Sequence, residues 1–322
     1  MPMRRRSSPS APVPGLCVRR AYGGRVADQH PAEAAVAWAE SVVGDTAVEH
    51  RGLREGSNPW LLTFASGSEA VLRLSTPAAA ALQRTEIAAM AVAERHGIAA
   101  PRLLGADIDG LGAVLISAVP GRSTIPPTPS PARLRALGAA AAALHAVPLQ
   151  PGPDLPLRTR PIESVDFAAM RRDGATTDLL TRAEEMIAGR PLPAGAAFVH
   201  GDLWQGNTLW SGDGELLAIV DWDCSGSGHP GVDLGSLRCD AAVLYGPAAA
   251  DHISAGWTAT TGREPDDAAY WDAVAALSTP FDLGYFLQAI ADHGRPDLDQ
   301  ATAVARRDAF LQTALTTLDA RR

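Results

Sequence analysis

The sequence predicts an α+β protein in two lobes: a small N-terminal lobe built on an antiparallel sheet and a larger, mainly helical C-terminal lobe. Three observations carry this. Short β-type runs with turn residues between them crowd residues 46–75 and recur at 111–117. Ala118-Val119-Pro120-Gly121 then breaks the pattern, and a Pro-rich connector follows over 124–131. Beyond it the apolar residues fall mostly at helical spacing, interrupted by short strands near 197–221. Strands first and helices later, without regular βαβ alternation, imply segregated layers and a cleft between lobes.

The elements follow in order. Residues 1–25 read as a disordered tail: Arg4, Arg5 and Arg6 are followed by Ser, Pro and Gly and not by an apolar h-region. Residues 26–119 form the expected N-terminal lobe. Asp28 and Pro31 suit a helix start, Glu33 to Val43 has helical spacing, and Gly44 ends it. Strands are expected at 46–50, 60–64 and 69–74, with Gly52 to Pro59 as a loop. In the third strand Arg73 shares the face of Val71, opposite Leu72 and Leu74. A helix from Ala78 to His96 carries Glu86, and Leu111 to Ser117 is the next strand. Residues 120–322 form the expected C-terminal lobe, with helices near 132–146, 163–172, 176–188, 232–245, 247–260, 266–292 and 297–320.

Composition limits the function classes. At 322 residues and 46% hydrophobic, the chain can bury large cores. No run approaches the roughly 20 apolar residues of a membrane span. A net charge of −8 argues against nucleic acid as the main partner. Cys17, Cys224 and Cys239 form neither an even set nor a C-x-x-C pair, which fits a reducing cytoplasm. All 28 basic residues are arginine, so any role usually taken by lysine falls to arginine.

The chemistry concentrates in Val199-His200-Gly201-Asp202-Leu203-Trp204-Gln205-Gly206-Asn207, in which His-x-Asp is followed by four residues and Asn. A further apolar strand, Leu216 to Val220, ends on Asp221. A carboxylate on a rigid loop can aim a hydroxyl and take its proton, the role expected of Asp202. Asn207 and Asp221 offer an amide oxygen and a carboxylate, hard ligands suited to Mg²⁺ beside phosphate. The same spacing, with a later metal-binding Asp, marks phosphoryl-transfer sites. His200 is expected to fix the loop by hydrogen bonding, and Asp233 either caps a helix or accepts loop amides. Gly52 to Asn58, with Gly56, Ser57 and Asn58 at its end, reads either as phosphate cover or as a hairpin with glycine at its turns. Arg73 and Glu86 read either as a phosphate-binding cation with its partner or as a strand-edge pair.

With these residues in place the sequence resembles the aminoglycoside phosphotransferase family, relatives of choline kinases and of the protein-kinase fold. His200 to Asn207 is similar to the family's catalytic loop. Ile219-Val220-Asp221-Trp222 with Gly228-His229-Pro230-x-x-Asp233-Leu234 is similar to its metal segment, and Leu144-His145 to its Leu-His element. The resemblance implies a catalytic Asp202, Mg²⁺ on Asn207 and Asp221, and nucleotide phosphates on Arg73 with Glu86 beside it. It also implies a purine met by backbone groups around Ser117–Val119. Arg73 stands where better-known members carry lysine.

The function expected is transfer of the γ-phosphoryl group of ATP or GTP to a hydroxyl of a small molecule, an antibiotic or a metabolite such as an amino alcohol or sugar. The alternative is a catalytically silent nucleotide-binding protein of the same fold. Asp240, Asp282, Tyr285 and Asp292 are candidate acceptor contacts.

Overall fold

The computed structural model describes residues 32–54 and 57–320. The tail, Cys17, Asp28, Pro31 and Gly56 lie outside that description, as do the side chains of Arg54, Ser57 and Tyr285. Helix α1 (Glu33–Val43) ends at Gly44, whose φ of 76° lets its N–H return to Glu40 O. Strands β1 (Ala47–Arg54), β2 (Ser57–Phe64), β3 (Glu69–Leu74), β4 (Leu103–Asp107) and β5 (Ala113–Ser117) form one sheet in the order β1-β2-β3-β5-β4. Every neighbouring pair is antiparallel. Helix α2 (Ala80–Arg95) lies between β3 and β4 in the chain.

Alternation decides what each face of this sheet does. Ala70 and Leu72 of β3, with Leu115 of β5, pack with Trp60, Leu62 and Phe64 and with Ala35 and Ala39 of α1. The opposite face of β5, Val114 and Ile116, joins a second core with Ala89, Met90 and Ala93 of α2. That core continues through Phe198, Ile219 and Trp222 into the helical part, so the floor of the cleft is fastened by burial. Full burial of each such side chain contributes about 1.5–3 kcal/mol. Arg73 lies on this second face by the period of the strand.

The chain leaves the sheet after Ser117, and Arg122 already pairs with Trp210 in both directions at 2.9 Å. The helical part comprises α3 (Pro131–His145), α4 (Phe167–Asp173), α5 (Asp178–Ala188), α6 (Gly231–Tyr245), α7 (Ala250–Thr261), α8 (Ala268–Leu277), α9 (Gly284–Asp292) and α10 (Gln300–Asp319). Ser130, Thr177 and Asp299 cap α3, α5 and α10 through their side chains. Helices α3 and α7 pack closely at two glycines. A Cβ on Gly138 would lie 2.0 Å from Ile253 O, and one on Gly256 2.0 Å from Arg135 O.

The short strands sort differently from their order in the chain. β7 (Ala197–Val199) pairs with β10 (Gly226–Gly228), which also pairs with β6 (Leu157–Arg158). β8 (Thr208–Trp210) pairs with β9 (Leu216–Ile219). The loop bearing Asp202 thus joins two separate small sheets.

Three expectations need correction. Gly52 to Pro59 is not one loop: Gly52 pairs with Trp60 and Arg54 with Ser57, so the ladder includes residues expected to be irregular. Residues 266–292 are not one helix: α8 stops at Leu277, and Pro280, which lacks an N–H, stands in the gap before α9. β4 stands between Ala78–His96 and Leu111–Ser117, where no strand is expected; its alternating half-buried and exposed residues lack the apolar run of β5.

Candidate active site

Behind the Asp202 loop the backbone is held by one carboxylate. Asp233, fully buried in the first turn of α6, accepts from His200 N and Gly201 N, both at 2.8 Å. His145 Nε2 lies 3.2 Å from the same carboxylate. Burial opposes its charge, but the His145 hydrogen bond and the nearby histidines outweigh it and hold the carboxyl below its usual range. Asp233 therefore takes the second of its two expected roles, since the α6 N-cap is Pro230. Gly201 is required here: its φ is 80°, and a Cβ would lie 2.1 Å from Cys224 O.

His200 fixes the loop from within. Its Nδ1 accepts from Asp202 N at 3.3 Å, so its Nε2 donates to Val220 O at 3.0 Å. Burial lowers its pKa, which favours this neutral form. The imidazole ties the segment before Asp221 to the loop bearing Asp202.

On the open side stand the three residues predicted to do chemistry. Asp202 is half-buried. Asn207 closes the loop: its Nδ2 donates to Asp202 O at 2.8 Å and lies 3.3 Å from Asp202 Oδ2. Val220 N donates to Asn207 O at 2.9 Å, which brings the residue before Asp221 alongside. Asp221 has φ 69° and ψ 61°, the left-handed region that aspartate tolerates better than most residues. Such a conformation at the end of β9 redirects the chain into the buried turn Trp222–Cys224.

Arg73 reaches this point from the sheet. One nitrogen bonds Glu86 of α2, and Nη2 lies 3.2 Å from Asp221 Oδ1. Sequence reasoning paired Arg73 with Glu86; the link to Asp221 is new and spans the cleft. Glu86 is buried, and burial pushes its carboxyl up against the pull of the Arg73 guanidinium. The fork of arginine allows the bridge, since separate nitrogens face separate carboxylates.

Among the described residues no three His, Cys, Asp or Glu side chains cluster as a metal cage. Asn207 and Asp221 offer one amide oxygen and one carboxylate. These hard donors fit Mg²⁺, which keeps few protein ligands when phosphate and water supply the rest.

The other predicted contacts separate. Asn58 is committed to the sheet: its Nδ2 donates to Leu74 O at 2.7 Å and its Oδ1 accepts from Leu74 N at 2.9 Å. Ser57 is a strand residue opposite Arg54. Ser117 Oγ accepts from Arg102 N at 2.9 Å, and Val119 O accepts from Gly121 N at 2.8 Å. Both lie where the chain crosses between lobes. Asp282 accepts from Gly284 N and Asp292 from Gln288, local bonds within their own segments.

Asp240 does meet the site. Its Oδ2 accepts from Gln205 Nε2 at 3.0 Å and from Gln205 N at 3.4 Å. Burial pushes its carboxyl up to about 6 despite those donors and the arginines Arg133 and Arg295. Tyr245 O–H donates to Pro126 O at 2.9 Å, and burial raises its pKa to about 12. Gln205 stands inside the loop motif, but its tie to Asp240 is invisible there; Tyr245, Arg133 and Arg295 carry no local motif, and only tertiary packing brings them near.

No curated protein matches the sequence. The fold is similar to that of macrolide 2′-phosphotransferase MphH from Brachybacterium faecium, with a TM-score of 0.61 at 19% identity, covering 85% of this chain and 98% of that one. It is similar to choline kinase LicA from Streptococcus pneumoniae, with a TM-score of 0.54 at 14% identity and coverage of 89% and 99%. It is also similar to the amicoumacin kinase hAmiN, solved with AMP-PNP, Ca²⁺ and Ami, with a TM-score of 0.51 at 15% identity and coverage of 81% and 85%. At these identities the likeness concerns the fold, a two-lobed kinase-like architecture. The model of the phosphotransferase enzyme family matches residues 49–277, a stretch holding Arg73, Glu86, Asp202, Asn207 and Asp221, and the chain belongs to that family.

Proposed function

We propose that this protein is a small-molecule kinase that transfers the γ-phosphoryl group of ATP or GTP to a hydroxyl. One observation carries the reading: Arg73, from the sheet, meets Asp221, from the helical part, at 3.2 Å, beside the loop that presents Asp202. A cation and two carboxylates from separate lobes at one point in a cleft suit phosphate on one side and an acceptor on the other.

The roles follow from chemistry. The acceptor oxygen attacks the γ-phosphorus, the bond to the β–γ bridging oxygen breaks, and the nucleoside diphosphate leaves. Asp202 aims the hydroxyl and takes its proton as the new P–O bond forms. Asn207 keeps Asp202 in place through its amide nitrogen and offers its oxygen to Mg²⁺ with Asp221. Mg²⁺, when bound, neutralises charge on the phosphate oxygens. Arg73 adds a fixed charge to the phosphates, oriented by Glu86. The two lobes divide at about Val119, and the backbone there faces the nucleotide.

Hydroxyl-bearing antibiotics head the acceptor panel, because similar folds belong to a macrolide phosphotransferase and an amicoumacin kinase. Choline follows for the same reason. The test is incubation with ATP or GTP and Mg²⁺ against that panel, read by ³¹P NMR, with Asp202→Ala as control. A phosphomonoester formed by the wild type and not by the variant is expected. Nucleotide binding without transfer or hydrolysis across the panel would overturn the reading in favour of the silent nucleotide-binding alternative.

A further inference from the structure

Behind the catalytic loop, three side chains from three helices form a hydrogen-bonded chain that the reading above does not use. Trp257 of α7 donates from Nε1 to His145 Nδ1 at 3.1 Å. His145, the last residue of α3, faces Asp233 Oδ2 with Nε2 at 3.2 Å. Asp233 in turn holds the amides of His200 and Gly201. All three are buried: Trp257 is 1% exposed, the His145 side chain 2% and Asp233 0%.

The direction of this chain is fixed at both ends, by an indole that can only donate and an ionised carboxylate that can only accept. An indole N–H can only donate, so His145 Nδ1 must be an acceptor. The proton of the neutral ring then sits on Nε2, where it points at the carboxylate. The opposite tautomer would set two N–H groups against each other at Trp257. It would also turn a lone pair on Nε2 towards the Asp233 carboxylate. An imidazole anchored at only one nitrogen aims its proton at the carboxylate less firmly, and the carboxylate carrying the loop amides is then less rigidly placed.

The glycine at 256 is what allows this contact, since it lets α7 lie against α3 at Arg135. A cavity of about 440 Å³ opens on the far side, lined by His145, Trp257, His229, Arg263 and Asp266 among others. Arg263 covers the Trp257 ring at 5.0 Å and pairs with Asp266 at 2.7 Å. The indole therefore has a packed face and a polar edge, and only the edge serves the chain.

We propose that Trp257 is a positioning residue for the catalytic loop: its indole N–H anchors His145 at Nδ1 and so aims the Nε2 proton at Asp233, completing the set of donors by which Asp233 fixes His200 and Gly201. The effect passes through hydrogen bonds and not through contact with substrate. It rests on the kinase reading only for the name of the loop, since its readouts need no phosphoryl transfer.

The test uses the full chain, labelled with ¹⁵N, in mildly alkaline buffer. Long-range ¹H–¹⁵N spectra should show His145 protonated at Nε2 and bare at Nδ1. Trp257→Phe keeps the ring in its packing and removes the donor. Its spectrum should show the His145 Nδ1 resonance shifted by loss of its donor, with exchange of the His200 and Gly201 amides about tenfold faster, while amides of β2 and β3 exchange as before. An Nδ1–H tautomer in the wild type would overturn the proposal, whether or not the variant folds. Unchanged exchange at both amides in a folded Trp257→Phe variant would overturn it as well.

Discussion

The two sides of the catalytic loop use carboxylates in opposite ways. Asp233, behind it, is sealed, and its oxygens are filled by two backbone amides and an imidazole. Asp221 and Asp202, in front, keep solvent access. They are held by few bonds: Asp221 by one guanidinium at 3.2 Å, and Asp202 by its neighbours in the loop. The rear carboxylate has its valences satisfied within the fold, so it sets backbone geometry and nothing else. The front carboxylates are positioned by rigid backbone and retain capacity for a cation, a phosphate or a hydroxyl. A site that must bind and release ligands needs this division, with rigidity supplied from the side the ligand never touches.

Exchanging the two sides would break the comparison, and the largest effect should come from the front. Asp202→Ala and Asp221→Ala should each lower phosphoryl transfer by roughly 10³-fold or more with the melting transition retained, because the proposed mechanism concentrates transition-state stabilisation there. Single-turnover rates with the acceptor found by the panel, paired with circular dichroism melts, check this. A near-normal rate in either variant removes that residue from the chemistry. Asp233→Ala should do the reverse and act on stability first. It strands two buried amides and an imidazole N–H, and a loss of about 3–5 kcal/mol is expected from a urea titration. An unchanged midpoint would show that the rear network is dispensable.

Arg73 tests the boundary between the sides. Arg73→Ala should weaken nucleotide binding by about ten- to a hundredfold, the worth of one or two charge-assisted hydrogen bonds. Arg73→Lys keeps the charge and loses the fork, so it should retain most of the affinity while failing to bridge Glu86 and Asp221 together. Calorimetric titration with a non-hydrolysable ATP analogue measures both. Wild-type affinity in Arg73→Ala would make the residue a link between lobes and not a phosphate contact.

How much of this was legible in the sequence follows from how local each signal is. The fold class could be read because strand and helix periods are properties of single segments. Arg73 could be placed on the cleft face because side chains alternate along β3. The proximity of Asp202, Asn207 and Asp221 could be read because one loop and one following strand fix their spacing. The Glu86 partner was readable from its helix, but its buried state was not. Apart from the helix that breaks locally at Pro280, the misreadings were decided by pairing at a distance. The ladder through Gly52 exists because β2 lies opposite, although its glycine and proline look like turn residues. Asn58 looked like loop chemistry and serves as a strand clamp for the same reason. Asp240 and Trp257 stand on separate helices, and nothing near either residue announces the partner that packing provides.

Asp240 shares features of both sides, and the effect of changing it should be the smallest. Like Asp233 it accepts an amide of the catalytic loop, at Gln205; like Asp221 it is only half-buried. Its pKa separates the cases. Asp233 sits below the usual range because its donors outweigh burial, whereas Asp240 is pushed up to about 6 because burial outweighs its donors. A carboxyl raised in the folded state keeps its proton while the unfolded chain loses one. Stability is therefore greatest below the ordinary carboxylate value of about 4 and declines as pH rises towards 6, after which the group contributes a constant penalty. Asp240→Asn cannot ionise and removes that decline. Urea midpoints measured for both proteins across this range should coincide most closely, or favour the wild type, at the acid end, and should shift in favour of the variant as pH rises, levelling above 6. A shift of the opposite sign would mean that Gln205 and the two arginines hold Asp240 ionised, and would move it to the sealed side with Asp233.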